Sequence, residues 1–243
     1  MRLIPCLVLL AALAFAAPPA APGAVAGAYP AAARERDAAA RQAPPLFGTR
    51  EIYSPDMAPF DKWTGMLARF RLEQEAAQRA CARFAPAACE PAEWRQLLGA
   101  LRGLDLRAKL DRVNAAVNRR PYVASQRNWG ESNHWETPFE FLRKSGQCQD
   151  YAIAKYMLLR GAGVAAAQLR VLVLRDTRLG LDHAVAVAYV KDEVFLLDNQ
   201  IGVVVPADSV HHYQPYYSIN EEGWWLHIGP NARYASAADA ALR

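Results

Sequence analysis

Apolar residues recur along this chain first with a helical and then with a strand period. From Pro59 to Phe84, Phe60, Trp63, Met66, Leu67, Phe70 and Leu72 return at helical spacing with charges between them, which predicts an amphipathic helix. Pro91 opens a second helix with Trp94, Leu97, Leu98 and Leu101 on one face, and the pattern resumes through Leu104, Leu106, Leu110, Val113 and Val117. The Met and aromatic positions in this lobe read as core. Pro121-Tyr122-Val123 ends it, and the stretch Trp129 to Pro138, rich in Trp, polar residues and turn formers, reads as a loop lining a cleft. Thr137-Pro138-Phe139-Glu140 then has the form of a helix start, with Thr137 as N-cap and Glu140 completing a capping box.

The segment Cys148 to Arg160 carries Ala152, Tyr156 and Leu159 at helical spacing, broadened by Ile153, Met157 and Leu158, and stops at Gly161 and Gly163. A helix apolar over most of its circumference is buried. Three β-rich runs follow, Leu169 to Leu174, His183 to Val190 and Val194 to Asp198, with Val203 to Val205 a candidate fourth. A helical lobe with one buried helix packed on an antiparallel sheet is an α+β architecture.

At 243 residues, 53% hydrophobic and 21% charged, the composition is that of a globular protein. Part of the apolar content belongs to a leader: Arg2 is followed by an apolar run from Leu3 to Ala16, the pattern of a signal peptide, with cleavage sites after Ala16 or after Ala26. That run is shorter than the roughly 20 apolar residues that span a bilayer. The expected organisation is a signal peptide over 1–26, an extended segment over 27–58 packing through Leu46-Phe47-Gly48, the main domain over 59–230 and a tail over 231–243. Export is expected. The net charge of +4 is spread among acidic residues without a basic stripe, so nucleic acid is not implied.

With Cys6 removed in the leader, Cys81, Cys89 and Cys148 remain, and in an oxidising compartment the arithmetic suggests a Cys81–Cys89 bridge that leaves Cys148 odd. Cys148 lies at a helix start, where the dipole and unpaired N–H groups favour the thiolate. If Lys191-Asp192 is a two-residue hairpin loop, Val190 pairs with Glu193 and Val185 with Asp198, which makes His183 and Asp198 diagonal neighbours on one face. A loop one residue longer would separate them. Cys148 as nucleophile, His183 as base and Asp198 as orienting carboxylate then form the candidate site. The backbone N–H of Cys148 is one candidate oxyanion donor, and Trp129, Trp135 and Gln147 are the side-chain candidates among which the sequence does not choose. The remaining histidines show no zinc-site spacing.

Several ordered blocks carry a resemblance: Leu46 to Glu51, Lys62-Trp63, Asn128-Trp129-Gly130, Trp135 to Pro138, Asp150 to Tyr156, His183-Ala184-Val185, Leu196 to Asn199 and Tyr217 to Trp225. Through them the chain resembles the bacterial transglutaminase-like cysteine proteinases of the LapG-type, periplasmic kind, over nearly the whole mature length. The resemblance implies a papain-like or transglutaminase-like fold and peptide hydrolysis through a thioester, with Cys148, His183 and Asp198 in the triad positions. It further implies a large cell-surface adhesin as substrate, cut near its N-terminus at a pair of alanines, and an inner-membrane cyclic di-GMP receptor as regulator. Relatives typically have Asp-Cys-Glu-Asp at the nucleophile, acidic residues that bind calcium in some members. Here Gln147-Cys148-Gln149-Asp150 leaves Asp150 as the one charged ligand of that run, so weak or absent calcium binding is expected, with no cofactor required. Two other outcomes fit the same fold: an acyltransferase or amidase in which an amine replaces water, and a binding module that has lost activity.

Overall fold

In a computed structural model of the chain, which describes residues 44–84 and 90–229, the helical half consists of α1 (Asp61–Phe84), α2 (Ala92–Ala100), α3 (Leu106–Val117), the short α4 (Ser125–Trp129), α5 (Pro138–Lys144) and α6 (Cys148–Gly161). The predicted leader, the tail over 231–243 and Cys89 lie outside the described residues, and with Cys89 the Cys81–Cys89 pairing. Edge-to-face contacts among Phe70, Trp94 and Phe139 tie α1, α2 and α5 together, with ring centroids 5.1 to 5.7 Å apart. The Thr137 capping box is present in full: Thr137 Oγ1 accepts from Glu140 N at 3.1 Å, and Glu140 Oε2 accepts from Thr137 N at 2.8 Å. Among the described residues no helix is long and apolar enough to cross a membrane.

The other half is one antiparallel sheet of seven strands, β1 (Arg50–Ser54), β2 (Leu169–Asp176), β3 (Leu181–Val190), β4 (Glu193–Leu197), β5 (Val205–Pro206), β6 (Tyr213–Ile219) and β7 (Trp224–Ile228), in the order β1-β7-β6-β2-β3-β4-β5. Alternation along β2, β3 and β4 divides the interior in two. Val171, Val173, Ala184, Ala186, Ala188 and Leu197 join the core under the helices. Leu172, Leu174, Val185, Val187 and Leu196 build a second core on the opposite face with Leu46, Val210 and Tyr213. The three alanines of β3 present little bulk to α6, which packs against that strand.

The architecture is the expected α+β, with more sheet than the strand-period runs predict. Residues 50–54 of the expected extended segment form edge strand β1, and Leu46, in a helical turn over Leu46–Gly48, is fully buried. Of the fourth run only Val205 is in a strand, the two-residue Val205–Pro206. β6 carries Pro215 in its interior, a residue that argues against a strand in sequence. It is accommodated where the β2–β6 register shifts, between Val173 and Leu174. Between β6 and β7, Gly223 is required by close approach: a Cβ there would lie 2.5 Å from Tyr53 Cε2 and 2.7 Å from Ser54 O, where β1 crosses.

Candidate active site

The chain enters α6 through a tight turn that three residues explain. Ser145 adopts φ 59°, reversing the chain after α5. Gly146 follows with no room for a side chain, since a Cβ would lie 2.4 Å from Asp150 Oδ2. Asp150, fully buried, folds back over the turn, accepting from Gln147 N at 2.8 Å through Oδ2 and from Glu136 N at 2.9 Å through Oδ1. One carboxylate thereby satisfies an orphan N–H at the helix start and ties the 129–137 loop to it. Burial and the facing Glu136 push the Asp150 carboxyl well above its usual range despite those donors. Burial likewise raises Glu136, whose Oε1 accepts from Trp129 Nε1 at 2.6 Å while Oε2 is buried without a partner.

Downstream, Lys191 takes φ 55°, the left-handed conformation that two-residue hairpin loops favour at their first position, and Val190 pairs with Glu193. Continuing that register brings Asp198, just past the end of β4, beside Val185. His183 Nε2 donates to Asp198 Oδ1 at 2.9 Å, and both residues are fully buried. Asp198 accepts further bonds from Gln200 N on Oδ1 at 2.8 Å and from Tyr213 Oη on Oδ2 at 2.5 Å. Burial pushes this carboxyl upward, but the imidazole and the two donors overcome it and hold it down to about 2. The second ring nitrogen, Nδ1, lies 3.4 Å from the amide Nε2 of Gln200.

Chain geometry sets Cys148 at the level of this pair. α6 leads through a turn at Ala166–Gln168 into β2, whose first residue Leu169 pairs with Ala188. Thirteen residues of helix rise about 20 Å, and the five residues from Ala188 back to His183 span roughly 17 Å, so the first turn of α6 ends near the start of β3. Strand alternation sets His183 and Asp198 with Leu174, Val185 and Tyr213, on the sheet face away from α6. Cys148 belongs to the core under the helices, across the sheet from that face.

Cys148 itself differs from expectation. It is 1% exposed in the full chain and is disulfide-bonded, as is Cys81. The odd-thiol arithmetic applies to the chain without its leader, whereas the full sequence has four cysteines, and among the described residues none is free. Its Sγ lies 3.6 Å from Gln149 Oε1. Of the oxyanion candidates, Trp129 donates its indole N–H to Glu136, and Trp135 donates to Asn133 Oδ1 at 3.1 Å. Gln147 accepts from Ser125 N through Oε1 at 2.5 Å, an arrangement that engages the carbonyl of the side chain and not its NH₂.

Two further neighbours of the pair are set by the fold. Lys155 is fully buried on the Cys148 side of α6, donating to Leu197 O at 3.2 Å; burial lowers its ammonium to about 7, against the pull of Asp198. A lysine inside an apolar helical run was a signal that it needed a buried partner. Tyr213 carries no signal in sequence, because Pro215 argues against the strand that holds it. A cleft of about 450 Å³ on the second-core side is lined by Phe47, Asp192, Val210 and Tyr213 among others, and by no member of the Cys148, His183, Asp198 set.

Comparison with known proteins places these features in a wider group. The family described as bacterial transglutaminase-like cysteine proteinase matches residues 78–233. Among solved structures, Legionella pneumophila LapG is 27% identical with a TM-score of 0.52, covering 73% of this chain and 95% of that one. An EGTA-treated form of the same protein is 26% identical with a TM-score of 0.52 and the same coverage. A calcium-bound form, 23% identical with a TM-score of 0.51 over 74% of this chain and 98% of that one, shares the fold. No curated protein matches the chain.

At the run where the resemblance implies calcium in some relatives, both Asp150 oxygens accept backbone N–H groups and Gln147 Oε1 accepts from Ser125 N. A hard cation prefers several charged oxygens at once.

Proposed function

Because the chain belongs to the bacterial transglutaminase-like cysteine proteinases and is a cysteine peptidase, we propose that Cys148, His183 and Asp198 are its triad and that it acts on a large surface adhesin outside the cytoplasm. The observation that supports the triad is the bond from His183 Nε2 to Asp198 Oδ1. With Nε2–H held there, Nδ1 is the basic nitrogen. In the reduced enzyme the thiol proton passes to Nδ1 as Sγ attacks the scissile carbonyl. The backbone N–H of Cys148, at the positive end of α6, and the Gln147 NH₂ stabilise the oxyanion. The tetrahedral adduct collapses to a thioester, with the imidazolium protonating the leaving amine. Water, deprotonated by the same nitrogen, then releases the acid and the thiolate.

The resemblance in the nucleophile and strand blocks supports the finer reading: export by the leader to the periplasm, cleavage of the adhesin at an Ala-Ala pair near its N-terminus, and control of adhesin release, hence of biofilm attachment, by an inner-membrane cyclic di-GMP receptor. The test uses the mature chain with an iodoacetamide probe and an adhesin fragment containing Ala-Ala. Labelling at Cys148 together with cleavage, both lost in Cys148→Ala, is the expected result. Amine incorporation in place of cleavage would assign a transferase, and binding without either reaction would overturn the catalytic reading.

A further inference from the structure

Resting on that triad reading, we propose that Tyr213 is a positioning residue of the reaction: its hydroxyl, set by β6 against the Asp198 oxygen that His183 does not use, holds the carboxylate ionised and correctly turned. The geometry divides the work between the two oxygens. Oδ1 receives His183 Nε2 at 2.9 Å and Gln200 N at 2.8 Å; Oδ2 receives Tyr213 Oη at 2.5 Å. At a fully buried site, loss of that donor leaves Oδ2 with nothing to replace water, and the carboxylate can then rotate or take up a proton.

The ring does not need the hydroxyl to stay in place. It stands edge-on to Phe47 at 6.3 Å and to His212 at 4.7 Å, tilted on the His183 ring at 5.9 Å. Other groups facing the pair do not substitute for it. Lys155 on α6 donates to Leu197 O, and Asn118 at the end of α3 donates to the backbone carbonyl of Asp198 at 2.7 Å. Burial first and the Asp198 carboxylate next, with the negative charge of Asp176 on β2 adding least, keep the Tyr213 phenol protonated and therefore a donor.

The sign of the consequence follows. Asp198 is buried, and burial alone favours its neutral form; removing a donor raises the pH at which it protonates. A neutral Asp198 no longer stabilises the imidazolium, so the acid side of the reactivity profile moves upward.

The experiment measures Cys148 alkylation by iodoacetamide and cleavage of an Ala-Ala peptide from pH 2 to 9, on the reduced mature protein and on Tyr213→Phe, with thermal unfolding alongside. The variant is expected to lose roughly tenfold in kcat at unchanged KM, with its acid limb about one pH unit higher. A profile superimposable on wild type, whatever happens to Tm, overturns the role. Should Tyr213→Phe not fold, 3-fluorotyrosine placed at 213, a stronger donor, is expected to move the acid limb downward, and an unmoved limb counts against the proposal. His183→Ala separates the two levels. If that variant alkylates at the wild-type rate, the triad fails and this role with it; if it does not, an unmoved Tyr213→Phe profile removes this role alone.

Discussion

His183 meets Asp198 through Nε2, 2.9 Å from Oδ1, and this contact decides which ring nitrogen can act as a base. An ionised carboxylate only accepts hydrogen bonds, so the ring proton is held on Nε2 and Nδ1 keeps its lone pair. Gln200 Nε2, 3.4 Å from Nδ1, is the group that must yield when a thiol proton is transferred.

Asp198→Asn reverses that assignment. An amide NH₂ turned to Nε2 places the ring proton on Nδ1 and removes the base while leaving the packing nearly unchanged. Peptide cleavage is expected to fall by roughly four orders of magnitude, the scale found when a triad's orienting Asp becomes Asn. Steady-state kinetics with unchanged circular dichroism checks it; a loss under tenfold would remove Asp198 from the mechanism.

A sulfur in a disulfide cannot attack a carbonyl, and Cys148 is disulfide-bonded in the full chain. Untreated full-length protein is expected to be inert to iodoacetamide at Cys148, and dithiothreitol is expected to restore both labelling and cleavage. Peptide mapping under the two conditions reads the result directly.

Gly146 and Asp150 compete for the same space. In Gly146→Ala the new methyl group meets the Asp150 carboxylate, which must then release Gln147 N or Glu136 N. Destabilisation of about 1–3 kcal/mol is expected from overpacking of this kind. Urea unfolding measures it, and a variant as stable as wild type would show that the turn relaxes freely.

The Lys155 ammonium is lowered to about 7 by burial. Between that pH and its ordinary value near 10.5 the unfolded chain binds the proton and the folded one does not, so this group's contribution makes stability rise with pH across that window. Thermal unfolding should therefore show Lys155→Met stabilised relative to wild type more at pH 6.5 than at pH 9.5. An equal difference at both values would place the lysine in solvent.

Calcium titration followed by calorimetry is expected to show no tight site, since Asp150 is engaged by two backbone donors and the flanking residues are the amides Gln147 and Gln149. Tight one-to-one binding abolished by Asp150→Asn would reverse this.

Elements governed by neighbours a few residues away were legible without coordinates. The Thr137–Glu140 capping box and the Val190–Glu193 hairpin register depend on residues three apart, and each follows from local stereochemistry. β1, β6 and β7 were not legible. The β1–β7 and β2–β6 pairings join segments far apart in the chain, and Pro215 argues against the strand that the register shift beside it permits.

The candidate site divides in the same way. A thiol at a helix start, and a histidine and an aspartate at matched places on a hairpin, are consequences of order and spacing along the chain, because helix dipoles and strand alternation act locally. Tyr213 against Asp198, Lys155 under Leu197, Glu136 facing Asp150 and the linkage of Cys148 were decided by the tertiary structure alone. Each depends on where low-dielectric interior forms, and a buried polar group acquires its partner, and its protonation, only when distant strands and helices close over it.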